Sequence, residues 1–179
     1  MRKQWLVAAA VTSTVALLAF AQAQDTAPPA PAEAGGSTIQ PIAFPHDVHA
    51  GQYQMQCMYC HFSADRSVDA GIPPVQSCMG CHAYIPGAEN PQEIQALTEY
   101  FNRREAIPWT RIYKVSDHVM FPHMRHVNAG VTCQTCHGQV EEMGVLETRA
   151  PEWRGNDMGW CISCHVQMGA SRDCTVCHY

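Results

Sequence analysis

The residues able to do chemistry in this chain are its cysteines and histidines, ten of each in 179 residues, and their spacing is tightly constrained. Every cysteine falls in a Cys-x-x-Cys-His unit: Cys57/Cys60/His61, Cys78/Cys81/His82, Cys133/Cys136/His137, Cys161/Cys164/His165 and Cys174/Cys177/His178. Two thiols at this spacing can each close a thioether to a vinyl group of one porphyrin, and the histidine that follows directly can reach the iron. The pattern predicts five covalently bound haem c groups, with His61, His82, His137, His165 and His178 as proximal ligands.

Other uses of paired cysteines fit less well. A zinc ribbon joins two Cys-x-x-Cys knuckles per metal and has no use for a following histidine, and five is an odd number of knuckles. A thioredoxin-like redox pair needs one such motif beside a strand and a helix. A disulfide framework suits an exported protein but gives no reason for the repeated histidine.

Five histidines lie outside the motifs: His46, His49, His118, His123 and His126. Five irons with two axial imidazoles each require ten histidines, which is the number the chain holds, so these five are expected as distal ligands. Methionine competes for one axial place: Met143 follows His137 and Met158 precedes Cys161, and a thioether ligand would raise that haem's potential. Irons occupied on both faces cannot bind a substrate, which leaves electron transfer as their chemistry and no catalytic residue to assign. Arg111 and Lys114 are candidates for the buried haem propionates, with a solvated basic face as the other reading.

The elements that must position these ligands repeat. Phe44-Pro45-His46-Asp47-Val48-His49 leads to Cys57, and Phe121-Pro122-His123-Met124-Arg125-His126 leads to Cys133 at nearly the same distance. The first copy is followed by one further motif and the second by two, giving a two-haem half (41–106) and a three-haem half (107–179). Between them lies one well-marked helix, with Asn90 as N-cap, Pro91 at the first helical position and Glu93 completing a capping box. Ile94, Leu97 and Phe101 share its apolar face, which is expected to pack on a haem or on the neighbouring half, and Ile107-Pro108 ends it near Glu105. Trp109 to Val115 alternates as a short extended segment, Gly71 to Pro74, Ile85 to Gly87 and Gly155-Asn156 read as loops, and nothing is long enough for a substantial sheet. At roughly thirty residues per haem the porphyrins must supply most of the core, so folding should depend on haem attachment.

Residues 1–23 carry Met1-Arg2-Lys3, the apolar run Trp5 to Ala21 and Ala21-Gln22-Ala23, the outline of a signal peptide or of a retained N-terminal membrane anchor. Either places the haem domain outside the cytoplasmic membrane. Residues 24–40, rich in Pro, Ala and Gly, form a linker to the domain at 41–179. A net charge of −5 and the lack of any Lys/Arg run argue against nucleic acid as a partner.

With Phe-x-His-x-x-His feeding Cys-x-x-Cys-His, both halves resemble the class III multihaem cytochromes. That resemblance implies a mostly irregular and α-helical multihaem cytochrome c domain, with few short helices, little or no sheet and a core formed by five haems. It also implies that His46 serves the haem on His61 and His123 the haem on His137, while His49 and His126 cross to other haems. A closer likeness covers residues 107–179. Ile107-Pro108-Trp109-Thr110-Arg111-Ile112, Asp117-His118-Val119 with Phe121, Val131 to Gly138, Glu141-Glu142-Met143 and Met158-Gly159-Trp160-Cys161 resemble the pentahaem c-type cytochrome subunit of alternative complex III, a bacterial quinol oxidoreductase. It implies a membrane-associated, periplasmic-side subunit taking electrons from iron-sulfur and integral-membrane quinol-oxidising subunits. The onward partner is a monohaem cytochrome c subunit or a terminal oxidase. A free periplasmic shuttle and an oxyanion reductase are the remaining alternatives, the second disfavoured because it needs a five-coordinate iron.

Overall fold

A computed structural model describes residues 39–178 apart from Ala88. The signal or anchor segment at 1–23 and nearly all of the linker lie outside the described residues.

The five Cys-x-x-Cys-His motifs each sit on a helical turn, because cysteines three residues apart share one helix face. Those turns are α1 (Cys57–Cys60), α2 (Val75–His82), α5 (Cys133–His137), α6 (Met158–Gln167) and α7 (Cys174–Cys177). Two are fixed by aspartate caps: the Asp157 carboxylate accepts from the Gly159 amide and that of Asp173 from the Thr175 amide. The remaining α-helices are α3 (Pro91–Arg103) and α4 (His123–Asn128). Among the described residues strand pairing is limited to isolated bridges, Pro45 with Val145 and Val119 with His178. No helix among the described residues is long and apolar enough to cross a membrane.

Helix α3 begins at Pro91 as its start signals predict, yet neither half of the expected capping box forms. Asn90 makes no side-chain cap. Glu93 turns inward instead, is 5% exposed, and its Oε2 accepts the Ala43 amide across 2.8 Å, tying the helix to the chain just ahead of His46. The buried stripe is accordingly Glu93, Ala96, Leu97 and Tyr100, while Phe101, placed on that face by the sequence pattern, is 37% exposed. The helix stops at Arg103, slightly before Glu105, because Arg104 takes a left-handed conformation (φ 57°) and the Arg104 and Glu105 amides fold back onto the last-turn carbonyls.

Ile42, Val75, Ala96, Leu97 and Tyr100 form the buried apolar cluster, with Cys78, Met79, Ile94, Ile107 and Trp109 packed around it. It is small for a domain of this length, and no described side chain is completely enclosed by polypeptide. Trp109 to Val115 runs without a strand ladder; the Gln40 amide takes that place, bonding the Thr110 amide and carbonyl and the Leu146 carbonyl.

The two Phe-Pro-His-x-x-His copies differ by one residue between the second histidine and the next cysteine, and the backbone absorbs it. The first copy continues as a π-helical turn, Asp47–Gln52, where the second forms α4. Each chain then returns to the carbonyl of its second histidine, from Met55 to His49 in the first copy and from Val131 to His126 in the second. A π-turn is the usual way a helix accommodates one extra residue.

Each copy is docked on the other half. His46 and Asp47 amides donate to Gly144 and Met143 carbonyls, and His123 and Met124 amides donate to Val68 and Ser67 carbonyls. In both cases the acceptors are the seventh and sixth residues after a motif histidine, His137 or His61. The halves thus clasp one another reciprocally in the same register.

Leu97→Ala empties the centre of the apolar cluster and is expected to destabilise the haem-loaded protein by about 2–4 kcal/mol. Guanidinium unfolding followed by far-UV circular dichroism measures this; a loss below about 1 kcal/mol would place the stabilising core elsewhere.

Candidate haem sites

The described histidines come in twos. Ring centroids lie 6.1 Å apart for His49 and His82, 6.4 Å for His123 and His137, 6.1 Å for His126 and His165 and 5.5 Å for His118 and His178. His46 completes the set: burial first, and then the His61 imidazole beside it, push its pKa down to about 4. Four of the five motif histidines therefore face one histidine from outside the motifs, and His46 and His61 are the two that remain, near one another.

The separations of 6.1 to 6.4 Å suit an iron between the rings, and the 5.5 Å of His118 and His178 is shorter than that spacing. Two iron–nitrogen bonds of about 2.0 Å, plus roughly 1.2 Å from each nitrogen to its ring centre, put the centroids about 6.4 Å apart. A bare ion needs three or more protein donors, and no such group of His, Cys, Asp and Glu occurs among the described residues. Donors in twos fit a porphyrin, which brings four nitrogens of its own.

Backbone carbonyls fix which ring nitrogen is left to bind. Nδ1 of His49 donates to Pro45 O at 2.9 Å, that of His61 to Gly71 O at 2.7 Å and that of His82 to Ile85 O at 2.9 Å. The same bond runs from His123 to Val68 O at 2.7 Å, from His126 to Pro122 O at 3.0 Å, from His165 to Ser171 O and from His178 to His118 O at 3.2 Å. A proton held on Nδ1 leaves Nε2 with its lone pair free, the usual arrangement of a metal-binding imidazole. His137 is pushed down to about 4, by burial and then by the His123 and His61 imidazoles, so it too is neutral and able to ligate at neutral pH.

Phenylalanine sets the ring planes in both copies alike. Phe44 stacks on His49 at 4.3 Å and meets His46 edge-on at 4.9 Å, while Phe121 stacks on His126 at 4.3 Å and meets His123 edge-on at 5.1 Å. The repeat seen in sequence is thus a repeat in geometry.

The ten cysteines are all free thiols, which removes the disulfide-framework reading. Cys57, Cys81, Cys133 and Cys174 are exposed, and Cys60, Cys78, Cys136, Cys161, Cys164 and Cys177 are half-buried. Among the described residues none of them belongs to a cluster of three or more metal donors. Burial pushes the thiols of Cys60, Cys78, Cys133, Cys136 and Cys161 above their ordinary range. At Cys136 the nearby Cys164 sulfur adds to that rise. A raised thiol is the reverse of an activated redox cysteine. Apolar side chains within or beside the motifs, Tyr59, Phe62, Ile162, Val166 and Val176, stand at the protein surface, where a porphyrin face would cover them.

Arg111 and Lys114 are engaged elsewhere. Arg111 pairs with Asp69 and Lys114 with Asp117, in ion pairs whose basic side chains are 62% and 52% exposed. Two buried donors without a protein partner, Arg103 Nη2 and Trp153 Nε1, were not singled out by the sequence. Trp153 stacks over His137 at 5.8 Å and meets Tyr113 at 5.0 Å. Tyr113 Oη donates to the His137 carbonyl and accepts the Ala150 amide, closing an aromatic wall around that histidine. Met143 lies against Gly138, and Met158 is 62% exposed.

Comparison with known proteins agrees with this geometry. Residues 119–179 match the family described as cytochrome c7 and related cytochrome c, and residues 21–106 match the class III cytochrome C family. The fold is that of a class III-like multihaem cytochrome c domain. The chain is also 29% identical over 163 residues to the menaquinone reductase multiheme cytochrome c subunit of Nitratidesulfovibrio vulgaris, covering 78% of this chain and 76% of that one.

Gly51 packs so closely on the 3₁₀ turn Val140–Glu142 that a Cβ would overlap the Glu141 carbonyl oxygen. Gly51→Ala is expected to cost about 1–3 kcal/mol and to loosen the turn carrying His46 and His49. Loss of the low-spin absorbance of two haems, with the others unchanged, is the expected result; an unaltered spectrum would show that this packing does not hold the ligands.

Proposed function

We propose that the chain is the electron-relay subunit of a membrane quinone oxidoreductase of the alternative complex III kind, carrying five haem c groups with two histidine ligands each. The observation that carries this reading is the one-to-one facing of four motif histidines with four others, which leaves His46 for His61. The haems are tethered by Cys57 with Cys60, Cys78 with Cys81, Cys133 with Cys136, Cys161 with Cys164, and Cys174 with Cys177. His61, His82, His137, His165 and His178 ligate one face; His46, His49, His123, His126 and His118 ligate the other, leaving no axial place for Met143 or Met158. Haem c supplies one-electron ferric–ferrous chemistry.

The chain's own residues then do three things. They hold the irons apart at fixed separations, they fix the tautomer of seven of the ten imidazoles through a carbonyl, and they fill both axial positions so that no substrate reaches iron. The chain itself performs no bond chemistry. On this reading it works at the periplasmic side of the membrane, receives electrons from iron-sulfur and quinol-oxidising membrane subunits and delivers them to a monohaem cytochrome or a terminal oxidase.

The name of the menaquinone reductase relative favours a second reading in which electrons run the other way, to quinone. Detergent purification without crosslinking distinguishes these. Five haems by mass and spectrum, a companion integral-membrane subunit and haem reduction by added quinol are the expected results. Quinone acting only as oxidant of pre-reduced haems would favour the second reading, absence of any membrane subunit would leave a free shuttle, and fewer than five haems would break the central claim.

His126→Ala is expected to convert the haem on His165, and not that on His137, to a high-spin form, as the 6.1 Å pairing of His126 with His165 requires. Resonance Raman or EPR spectroscopy reports it, and a change at the His137 haem alone would reject the crossed ligation.

A further inference from the structure

Beyond the presence of five sites, the elements that hold them connect each pair to the next, and always through a different link. The first link is the turn from His46 to Gln52. It carries His49, which faces His82, and three residues before it His46, which is left for His61 because the other four motif histidines each face another partner.

The second link is the loop 65–71. Its Gly71 carbonyl accepts Nδ1 of His61 and its Val68 carbonyl accepts Nδ1 of His123, so one short segment orients a ligand of the His46/His61 site and a ligand of the His123/His137 site. Asn128 bonds the Asp65 carbonyl at the same place. From the other side His46 and Asp47 are held by Gly144 and Met143, just beyond His137.

The third link is α4, where His123 faces His137 and, three residues on, His126 faces His165. The Cys136 and Cys164 sulfurs of those two sites are neighbours too. The fourth link is the chain after α6: the Ser171 carbonyl orients His165, and Asp173 caps the turn that leads into His178. His118 closes that last site, and the Met120 amide donates to the Cys177 carbonyl.

We infer that the five sites form one unbranched file in the order His49/His82, His46/His61, His123/His137, His126/His165, His118/His178. Order in space differs from order in sequence at the start: the second motif lies at one end of the file, and the first is interior. The two Phe-Pro-His-x-x-His copies occupy equivalent places about the central link, and the second half adds one site at its outer end. One electron moves per hop, the donor iron passing from ferrous to ferric and its neighbour from ferric to ferrous, with no bond made or broken. Redox partners therefore dock at the His82 and His178 ends, and every electron crosses between the halves at the His61 to His137 step, where the 65–71 loop is common to both sites.

The inference rests on the paired-histidine reading, and iron positions in the loaded protein separate the two. An iron-edge anomalous map of the five-haem protein is expected to place an iron between each named pair, with nearest neighbours in the stated order and the His82 and His178 irons farthest apart. Irons lying between other pairs of side chains would overturn the ligand reading. Irons between the named pairs but in another sequence, for example the His82 iron nearest to His137, would overturn the file alone. In solution, replacing Cys174 and Cys177 with Ala removes one end site. The reduction potential of the His165 haem is then expected to shift while those of the His61 and His82 haems stay in place, and a comparable shift at His82 would contradict the order.

Discussion

The reciprocal backbone clasp between the two halves is the constraint on which the rest of the arrangement depends. His46 and Asp47 are held by the segment that follows His137, and His123 and Met124 by the segment that follows His61, in identical register. Each half lends its histidine turn a docking surface that the turn's own half lacks. The apolar cluster around Leu97 is too small to place five ligand pairs, so placement falls to directional bonds that tolerate little displacement.

A carbonyl bound to Nδ1 does more than point the ring. It fixes the tautomer, raises the basicity of Nε2 and restrains rotation about the ring's long axis. The pairs differ in the angle between their ring planes, from 9° for His123 with His137 to 62° for His49 with His82. Sites built from the same ligands can therefore have distinct electronic structure, and a relay benefits when its stations are not all alike. The Tyr113 and Trp153 wall adds a further difference at His137.

Several sequence expectations had to give way to longer-range partners. Glu93 stands where a capping-box acid belongs, but the Ala43 amide, fifty residues away, offered a buried donor that no other group satisfies. Phe101 lost its place on the buried face to Tyr100 because α3 rotates to seat Glu93 and Leu97 together. Arg111 and Lys114, read either as donors to anionic propionates or as a solvated basic face, each sit beside an aspartate in an exposed ion pair of the kind that contributes little to stability, which fits the second of those readings and leaves the first open. Trp153 gave no signal at all, since an indole in a loop has no spacing to betray its partner.

The sequence alone determined the chemistry of the sites: tethers three residues apart, a ligand directly after them, and as many spare histidines as motifs are local facts that a linear reading captures. It also determined the repeat, because Phe-Pro-His-x-x-His brings its two imidazoles onto one helical face wherever it is placed. Only the tertiary structure decided which histidine faces which, and in what order the sites follow one another. That choice depends on the carbonyls of Val68, Gly71, Gly144 and Ser171 and on the one-residue difference absorbed by the π-turn. Backbone groups are the same at every position in a chain, so their part in a site becomes visible only when the fold brings them to it.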